Sequence, residues 1–119
     1  FFKLMAVQGN TFINAKKDLT DTSNTTLYTC PSATTAVLKS ILVNDDSGSG
    51  DTITVTLTAG SDVFSLFKVK AVSANTTVEL LTAPLVVQED EILKVQAATG
   101  DRLHVVASIL EIKPRQVVT

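Results

Sequence analysis

Tryptophan is absent from this sequence of 119 residues, and tyrosine, histidine and cysteine each occur once. A glycan-binding surface usually displays exposed aromatic platforms, so a chain with 5% aromatic residues is poorly equipped for that role. One cysteine cannot form an intramolecular disulfide, so the fold must be held by its core, by partners or by both. Cys30 precedes Pro31 at the end of a strand-like segment, and we interpret it as a small buried hydrophobe.

Strong charge and long hydrophobic runs are also missing. The net charge is -2 with the two signs interspersed, which provides no field to attract nucleic acid or an anionic membrane. The longest apolar runs are far shorter than the ~20 residues that a membrane-spanning helix needs. We therefore expect neither a nucleic acid nor a membrane as partner.

The first residues, FFKLMAV, lack the long apolar core and small-residue cleavage site of a secretory signal, which a cellular adhesin or secreted domain would need. Met5 and the two residues after it resemble an ordinary gene start. Our hypothesis is that residues 1–4 are an upstream extension or a processing remnant. An intact mass of the native protein that includes residues 1–4, initiated before them, would contradict it.

Seventeen threonines and fifteen valines give the composition a clear β bias. Residues 51–60, DTITVTLTAG, show it best, because Ile53, Val55 and Leu57 alternate with a row of threonines. A period of two is typical of a strand with one buried and one polar face. We expect this strand to be an edge or outward-facing strand of its sheet.

The rest of the chain consists of short alternating segments separated by turn residues. No segment of ten residues has a helical stripe with caps. The segment 34–44 is apolar on both faces, which predicts a central strand, and with 51–59 it is expected to form one β-hairpin. Further strands are predicted at residues 26–30, 63–72, 76–81, 85–87, 91–97 and 102–112, with weak candidates at 3–8 and 11–16.

The fold class predicted is a single antiparallel all-β sandwich, jelly-roll-like or immunoglobulin-like, with eight or nine short strands and no significant helix. Residues 26–112 are expected to form the sandwich. Residues 1–25 are an N-terminal segment with candidate short strands and a polar loop, and residues 113–119 are a C-terminal tail.

Three sets of residues could be suspected of chemistry. His104 has only scattered carboxylates to work with, which favours an ordinary histidine on a strand face. The oxygen-rich turn 44–51 does not have the spacing of an EF-hand or of a calcium repeat, so a solvated turn is favoured. The acidic run 89–91 points its carboxylates apart on a turn. We expect a non-enzyme without catalytic residues, metal or cofactor.

The last strand carries an anomaly that bears on function. Leu103, Val105, Ala107 and Ile109 form its expected core face, yet the opposite face is also rich in apolar residues. Either the strand is central and both faces pack within the domain, or the second face belongs to a subunit interface. The candidate interface residues are Phe64, Leu66, His104, Val106, Leu110 and Ile112.

Four segments of the chain resemble a group of small virion proteins of tailed bacteriophages. They are TLYTCP at 26–31, AVLKSILVN at 36–44, PLVVQED at 84–90 and LHVVAS at 103–108. The resemblance covers about three quarters of the chain and leaves out residues 1–25. Where the family has a small-residue turn after its PLVL segment, this chain has QEDE at 88–91.

The resemblance implies a β-sandwich module of the virion, assembled in the bacterial cytoplasm, with no reaction to catalyse. It favours a capsid decoration (cement) protein on the capsid surface, with copies of itself and the major capsid protein as partners. A homo-oligomer is expected, and a trimer is favoured because local three-fold points of a capsid invite one. The alternative is a tail or fibre accessory module that binds a tail protein or a host-surface glycan.

Overall fold

The computed structural model describes residues 9–113 of the chain, so the hypothesis about residues 1–4 and the strand candidate at 3–8 lie outside the described residues. Within this range all regular structure is β, and no helix is long and apolar enough to cross a membrane. The strands are β1 Asn10–Leu19, β2 Thr25–Thr29, β3 Thr35–Asp45, β4 Asp51–Ala59, β5 Asp62–Val72, β6 Thr77–Glu79, β7 Leu85–Val87, β8 Ile92–Ala97 and β9 Leu103–Ile112.

The strands form two antiparallel sheets packed as a β-sandwich, which confirms the predicted class. Sheet A has the order β1-β9-β3-β6, and β7 pairs with β3 on the same side as β6. Sheet B has the order β2-β8-β4-β5. The N-terminal segment contributes β1 to sheet A over ten paired positions, so the described sandwich extends from Asn10 to Ile112.

The expected hairpin over residues 34–59 is wrong, because β3 and β4 lie in different sheets. The turn after β3 carries the chain across the sandwich instead of back along the same sheet. Asp45 holds this crossing: its carboxylate is buried and accepts hydrogen bonds from the backbone N–H and hydroxyl of Ser47 at 2.7 and 2.6 Å and from the N–H of Gly50. Turn residues alone therefore did not distinguish a hairpin from a crossover.

Alternation along the strands fills the space between the sheets. In β4, Ile53 and Val55 are fully buried, whereas the threonines between them face outward and are partly exposed. The outward orientation of this threonine row agrees with the sequence, but β4 is not an edge strand, since β8 and β5 flank it. The largest fully buried side chains are Leu38, Ile41, Ile53, Leu93, Leu103, Ile109, Val43, Val55, Val72, Val87, Val95 and Val105.

A hydrogen bond also joins the two sheets inside the sandwich. The hydroxyl of Tyr28 on β2 donates to Oε2 of Glu111 on β9 at 2.5 Å, and both side chains are buried. Burial and the neighbouring Glu111 carboxylate raise the pKa of Tyr28 far above its usual range, so the phenol keeps its proton and remains a donor. Cys30 is buried close by and its thiol contacts the carbonyl of Thr34 at 3.3 Å, as expected for an inert packed cysteine.

Candidate protein interaction surface

Strand β9 lies in the middle of sheet A, between β1 and β3, and presents two different faces. The face with Leu103, Val105, Ala107 and Ile109 is fully buried in the core. The opposite face is not covered by any of residues 9–113. Of the two alternatives left open for this strand, the first is right that the strand is central, but its second face does not pack within the described residues.

Partners in an antiparallel ladder point to the same side of a sheet, so the register defines which residues share the outer face of sheet A. One transverse row is apolar from edge to edge. It joins Phe12 on β1, Leu110 on β9, Val37 on β3 and Val86 on β7. Phe12 is 75% exposed and Val86 is 50% exposed. Ile112, two residues beyond Leu110 on the same face, is 40% exposed and widens this apolar row.

Two further rows complete the middle of this face. Next to the apolar row lies a polar row of Asn14, Ser108 and Ser40, and the bulge of β3 between Leu38 and Ser40 adds the exposed Lys39 to it. Beyond it, Val106 and Leu42 form an apolar centre between two charges, Lys16 on β1 and Glu79 on β6. We call these three rows, together with Ile112, the outer face of sheet A. Its residues are Phe12, Leu110, Val37, Val86, Ile112, Asn14, Ser108, Ser40, Lys39, Lys16, Val106, Leu42 and Glu79.

Glu79 has a structural role as well as its charge. Its carboxylate accepts hydrogen bonds from the hydroxyl of Ser40 and from the backbone N–H groups of Ile41 at 2.8 Å and Leu81 at 3.1 Å. Partial burial opposes ionisation of Glu79, but these hydrogen bonds outweigh it and lower the pKa of the carboxyl group. The β-bulge of β3 next to Ser40 is therefore tied to a carboxylate that stays negative at neutral pH.

The structure separates the six residues that the sequence proposed as one interface. His104, Val106, Leu110 and Ile112 lie together on the outward side of β9. Phe64 and Leu66 lie on β5, in the other sheet, so the set does not form a single surface. The six residues therefore do not form one continuous patch on a single copy, and their role in a subunit interface stays a prediction.

The bulges of β5 explain the placement of its apolar residues. Register shifts around Leu66 and Val69 interrupt the simple alternation that the sequence suggests. Phe64 lies before these shifts, in regular register with the core-facing Leu57, whereas Leu66 lies at the first shift and is half-buried at the side of a groove of about 280 Å³. Phe67, Leu80, Leu81, Pro84 and Leu85 line this groove with it.

His104 lies at the end of the outer face of sheet A and is partly exposed. Its Nε2 is 3.3 Å from Oδ1 of Asp18, and its Nδ1 is 3.8 Å from Oδ1 of Asp46. The two carboxylates flank opposite ring nitrogens and do not converge on one point. Among residues 9–113, no group of three or more histidine, cysteine or acidic residues is arranged to hold a metal ion.

An open depression of about 520 Å³ borders the opposite end of this face, between Ile112 and the loops before β3 and β8. Its carboxylate, Glu89, accepts a hydrogen bond from the backbone N–H of Ala33. Ala33 has a positive φ of 56°, so Glu89 supports a strained turn. The Glu89 carboxylate is therefore already hydrogen-bonded to the backbone of the loop before β3.

Sequence reasoning missed Phe12, Leu42, Val37 and Val86 as members of the outer face. Phe12 had a local signal, because it is an aromatic residue on the same face of a predicted strand as the polar residues Asn14 and Lys16. The others became neighbours only through the pairing of β7, β3 and β9, which no local pattern specifies.

Comparisons with known proteins add a likeness of fold. No family model and no curated protein matches the sequence. A solved structure of Bacillus endospore appendages, described as a novel family of disulfide-linked pili, is similar with a TM-score of 0.50 and 11% identity, over 94% of this chain and 91% of that one. The acid-stable capsid structure of the Helicobacter pylori bacteriophage KHP30 is similar with a TM-score of 0.53 and 10% identity, over 98% of this chain and 99% of that one. At these identities the chain shares a two-sheet fold with both proteins.

Proposed function

We propose that this protein is a structural component of a tailed-phage virion, a capsid decoration protein that binds the assembled head lattice and stabilises it. The observation that carries the proposal is the outer face of sheet A. An apolar row four strands wide is left exposed there, and contiguous apolar patches on soluble proteins mark interaction sites.

The fold supports the same role. The likeness to the phage capsid chain extends over nearly the whole of both chains, so it concerns the entire module. Strands β1 to β4 alternate between the two sheets, and this connectivity favours the jelly-roll alternative over the immunoglobulin-like one. Viral capsid domains use the jelly roll as a rigid building unit, which is what a lattice-binding protein needs.

The chemistry of the described residues is consistent with a protein that does not catalyse a reaction. Tyr28, Glu111 and Cys30 are buried, and burial raises the pKa of the Cys30 thiol, which disfavours the reactive thiolate. The carboxylate of Asp45 is occupied by its own turn. A non-enzymatic role therefore remains part of the proposal.

The alternative, a tail or fibre accessory module, uses the same apolar face against a tail protein. Recognition of a glycan would need an exposed aromatic platform, and Tyr28 is buried while Phe12 is the one aromatic residue on the outer face. Assembly through intermolecular disulfides is disfavoured as well, because the single cysteine of the sequence is buried.

Electron microscopy of purified virions tests the proposal directly. We expect the sandwich to be found on the outer surface of the head, and purified protein to rebind to particles that lack it. The substitution Phe12→Ser should weaken rebinding without unfolding the domain. Val63→Ser is the matched control, since Val63 is 63% exposed on β5 of the other sheet. Location at the tail would select the alternative, and absence from the particle would refute a virion role.

A further inference from the structure

The charges on the outer face of sheet A are arranged in a way that specifies a partner. Lys16 and Glu79 lie at opposite ends of one transverse row, with Val106 and Leu42 between them. The row therefore reads positive, apolar, apolar, negative across the sheet. When the row is rotated by 180°, its positive end meets the negative end of an unrotated copy and its apolar residues meet apolar residues, so the row is complementary to itself.

We propose that the outer face of sheet A packs against the same face of a second copy, about a two-fold axis that runs parallel to the strands between β9 and β3. The proposal rests on the virion function above: it assigns a second copy on the particle as the partner of this face, so that the head lattice contacts other surfaces of each sandwich. A two-fold contact uses one patch on both subunits, so the patch must complement itself.

The register specifies the contacts of this arrangement. The rotation places β1 over the second copy's β6 and β7, and β9 over its β3. Phe12 then faces Val86 of the second copy and Leu110 faces Val37, while Val106 faces Leu42. Lys16 faces Glu79 of the second copy, and the rotation repeats this ion pair at the other edge. Apolar side chains thus contact apolar side chains, Lys16 and Glu79 each have a counter-charge, and Lys39 at the β3 bulge faces the polar row of the second copy.

A two-fold axis that runs across the strands does not satisfy the same charges. Placed on the row of Val106, it would put Lys16 against Lys16 and Glu79 against Glu79 of the second copy. Placed on the row of Ser108, it would put Glu79 against Val86, which leaves a carboxylate without a partner. Both arrangements are disfavoured, because like or unpaired charges in a contact are costly.

The size of the face is adequate for a modest interface. Four strands at a spacing of about 4.8 Å and a length of about 30 Å give a projected area of roughly 500 Å² per copy. Two copies would then bury about 1,000 Å² in total, which is less than the ~1,200 Å² of stable specific interfaces and within the range of weak, transient ones. We therefore expect a weak dimer in solution that is favoured at the high local concentration of a lattice.

Cross-linking of isolated protein tests the arrangement. Packed sheets lie about 10 Å apart, so a bismaleimide of similar reach can join cysteines that face each other across the contact. Phe12→Cys and Val86→Cys introduce thiols at two exposed positions. We expect covalent dimers when the two variants are mixed and little product from either one alone. The native protein, with its buried Cys30, is the background control.

Two outcomes of that experiment would overturn the two-fold arrangement. One is Phe12→Cys cross-linking to itself as strongly as in the mixture, and the other is no dimer in the mixture at protein concentrations of several hundred micromolar.

Sedimentation provides a second measurement. Lys16→Glu should weaken the dimer about tenfold, because two exposed ion pairs become repulsive, whereas Lys16→Arg should leave it unchanged. Equal behaviour of the two variants, or the trimer favoured by the sequence, would contradict the proposal.

The two proposals fail in different experiments. Cross-linking concerns isolated protein and does not depend on where the protein resides in the virion. A protein located on the head that does not dimerise would overturn the two-fold contact and leave the decoration role standing. A protein that dimerises in solution but is absent from purified virions would overturn the decoration role and leave the two-fold contact standing.

Discussion

The substitution Tyr28→Phe removes the hydroxyl that joins the two sheets inside the sandwich. Its oxygen lies 2.5 Å from Oε2 of Glu111, and each of the two residues is 8% exposed. Water can therefore replace the lost donor only in part. A hydrogen bond to a carboxylate contributes about 1.5–3 kcal/mol, so we expect the free energy of unfolding to fall by this amount at pH 7.

The consequence for thermal stability follows from the size of the domain. An unfolding entropy of about 2.1 cal/mol/K per residue gives roughly 0.25 kcal/mol/K for this chain, and the loss then lowers Tm by roughly 6–12 °C. Urea unfolding followed by circular dichroism is the suitable assay. The midpoint should decrease while the slope of the transition stays the same, since the exposed surface is unchanged.

A double-mutant cycle separates this hydrogen bond from general packing. Glu111→Gln keeps an acceptor but removes the charge, so Tyr28→Phe in that background should cost only about 1 kcal/mol. The difference between the two backgrounds measures the contribution of the carboxylate. If Tyr28→Phe costs less than about 0.5 kcal/mol in the native background, the hydrogen bond contributes little to holding the two sheets together.

Three further predictions concern the turns and the edge of the sandwich. Hydrogen bonds from Ser47, opposed by desolvation, lower the pKa of Asp45, so its stabilising contribution is present above its unfolded pKa near 3.9 and is lost as the pH falls through the lower folded value. The difference in urea midpoint between native protein and Asp45→Asn should therefore shrink from pH 5 to pH 2. Asp46→Asn is the control and should have little effect at either pH. Gly100→Ala would place a Cβ 2.6 Å from a backbone carbonyl oxygen and should cost about 1–3 kcal/mol in urea unfolding, and a cost below 0.5 kcal/mol would contradict this contact. Val69→Gly should raise the free energy of unfolding by up to about 1 kcal/mol, because Val69 has a positive φ of 53° and a β-branched residue is strained there; a loss of more than 1 kcal/mol would refute the strain.

Local patterns in the sequence were enough to predict most of the strands. The alternation of 51–59 matches β4 at both ends, and the predicted strand 34–44 differs from β3 by one residue at each end. Such agreement is expected where one face of a strand is buried, since a shift by one residue would expose the whole apolar set. The central position of β3 was also predictable, because both of its faces carry apolar side chains.

Pairing between distant strands could not be predicted in the same way. Glycine and aspartate mark the turn after β3 in a hairpin and in a crossover alike, so these residues leave the direction of the chain open. The buried carboxylate of Asp45 holds the crossover that forms. The interaction surface depends on pairing even more strongly. Phe12 and Leu110 come from opposite ends of the chain and meet only because β1 pairs with β9.

The edges of the two sheets explain why assembly through a face is the better interpretation. β5, the long edge strand of sheet B, carries two register shifts and exposed Lys68 and Lys70, and such bulges and charges prevent pairing with another strand. The opposite edge of that sheet is the five-residue strand β2, and the β3 side of sheet A ends in two strands of three residues. On the remaining edge, β1 carries Lys16 and Lys17. Edge-to-edge association is thus hindered on every side, while the apolar outer face of sheet A has no comparable protection. Because the sheet edges are protected against pairing and this face is exposed, we expect the protein to associate through the outer face of sheet A.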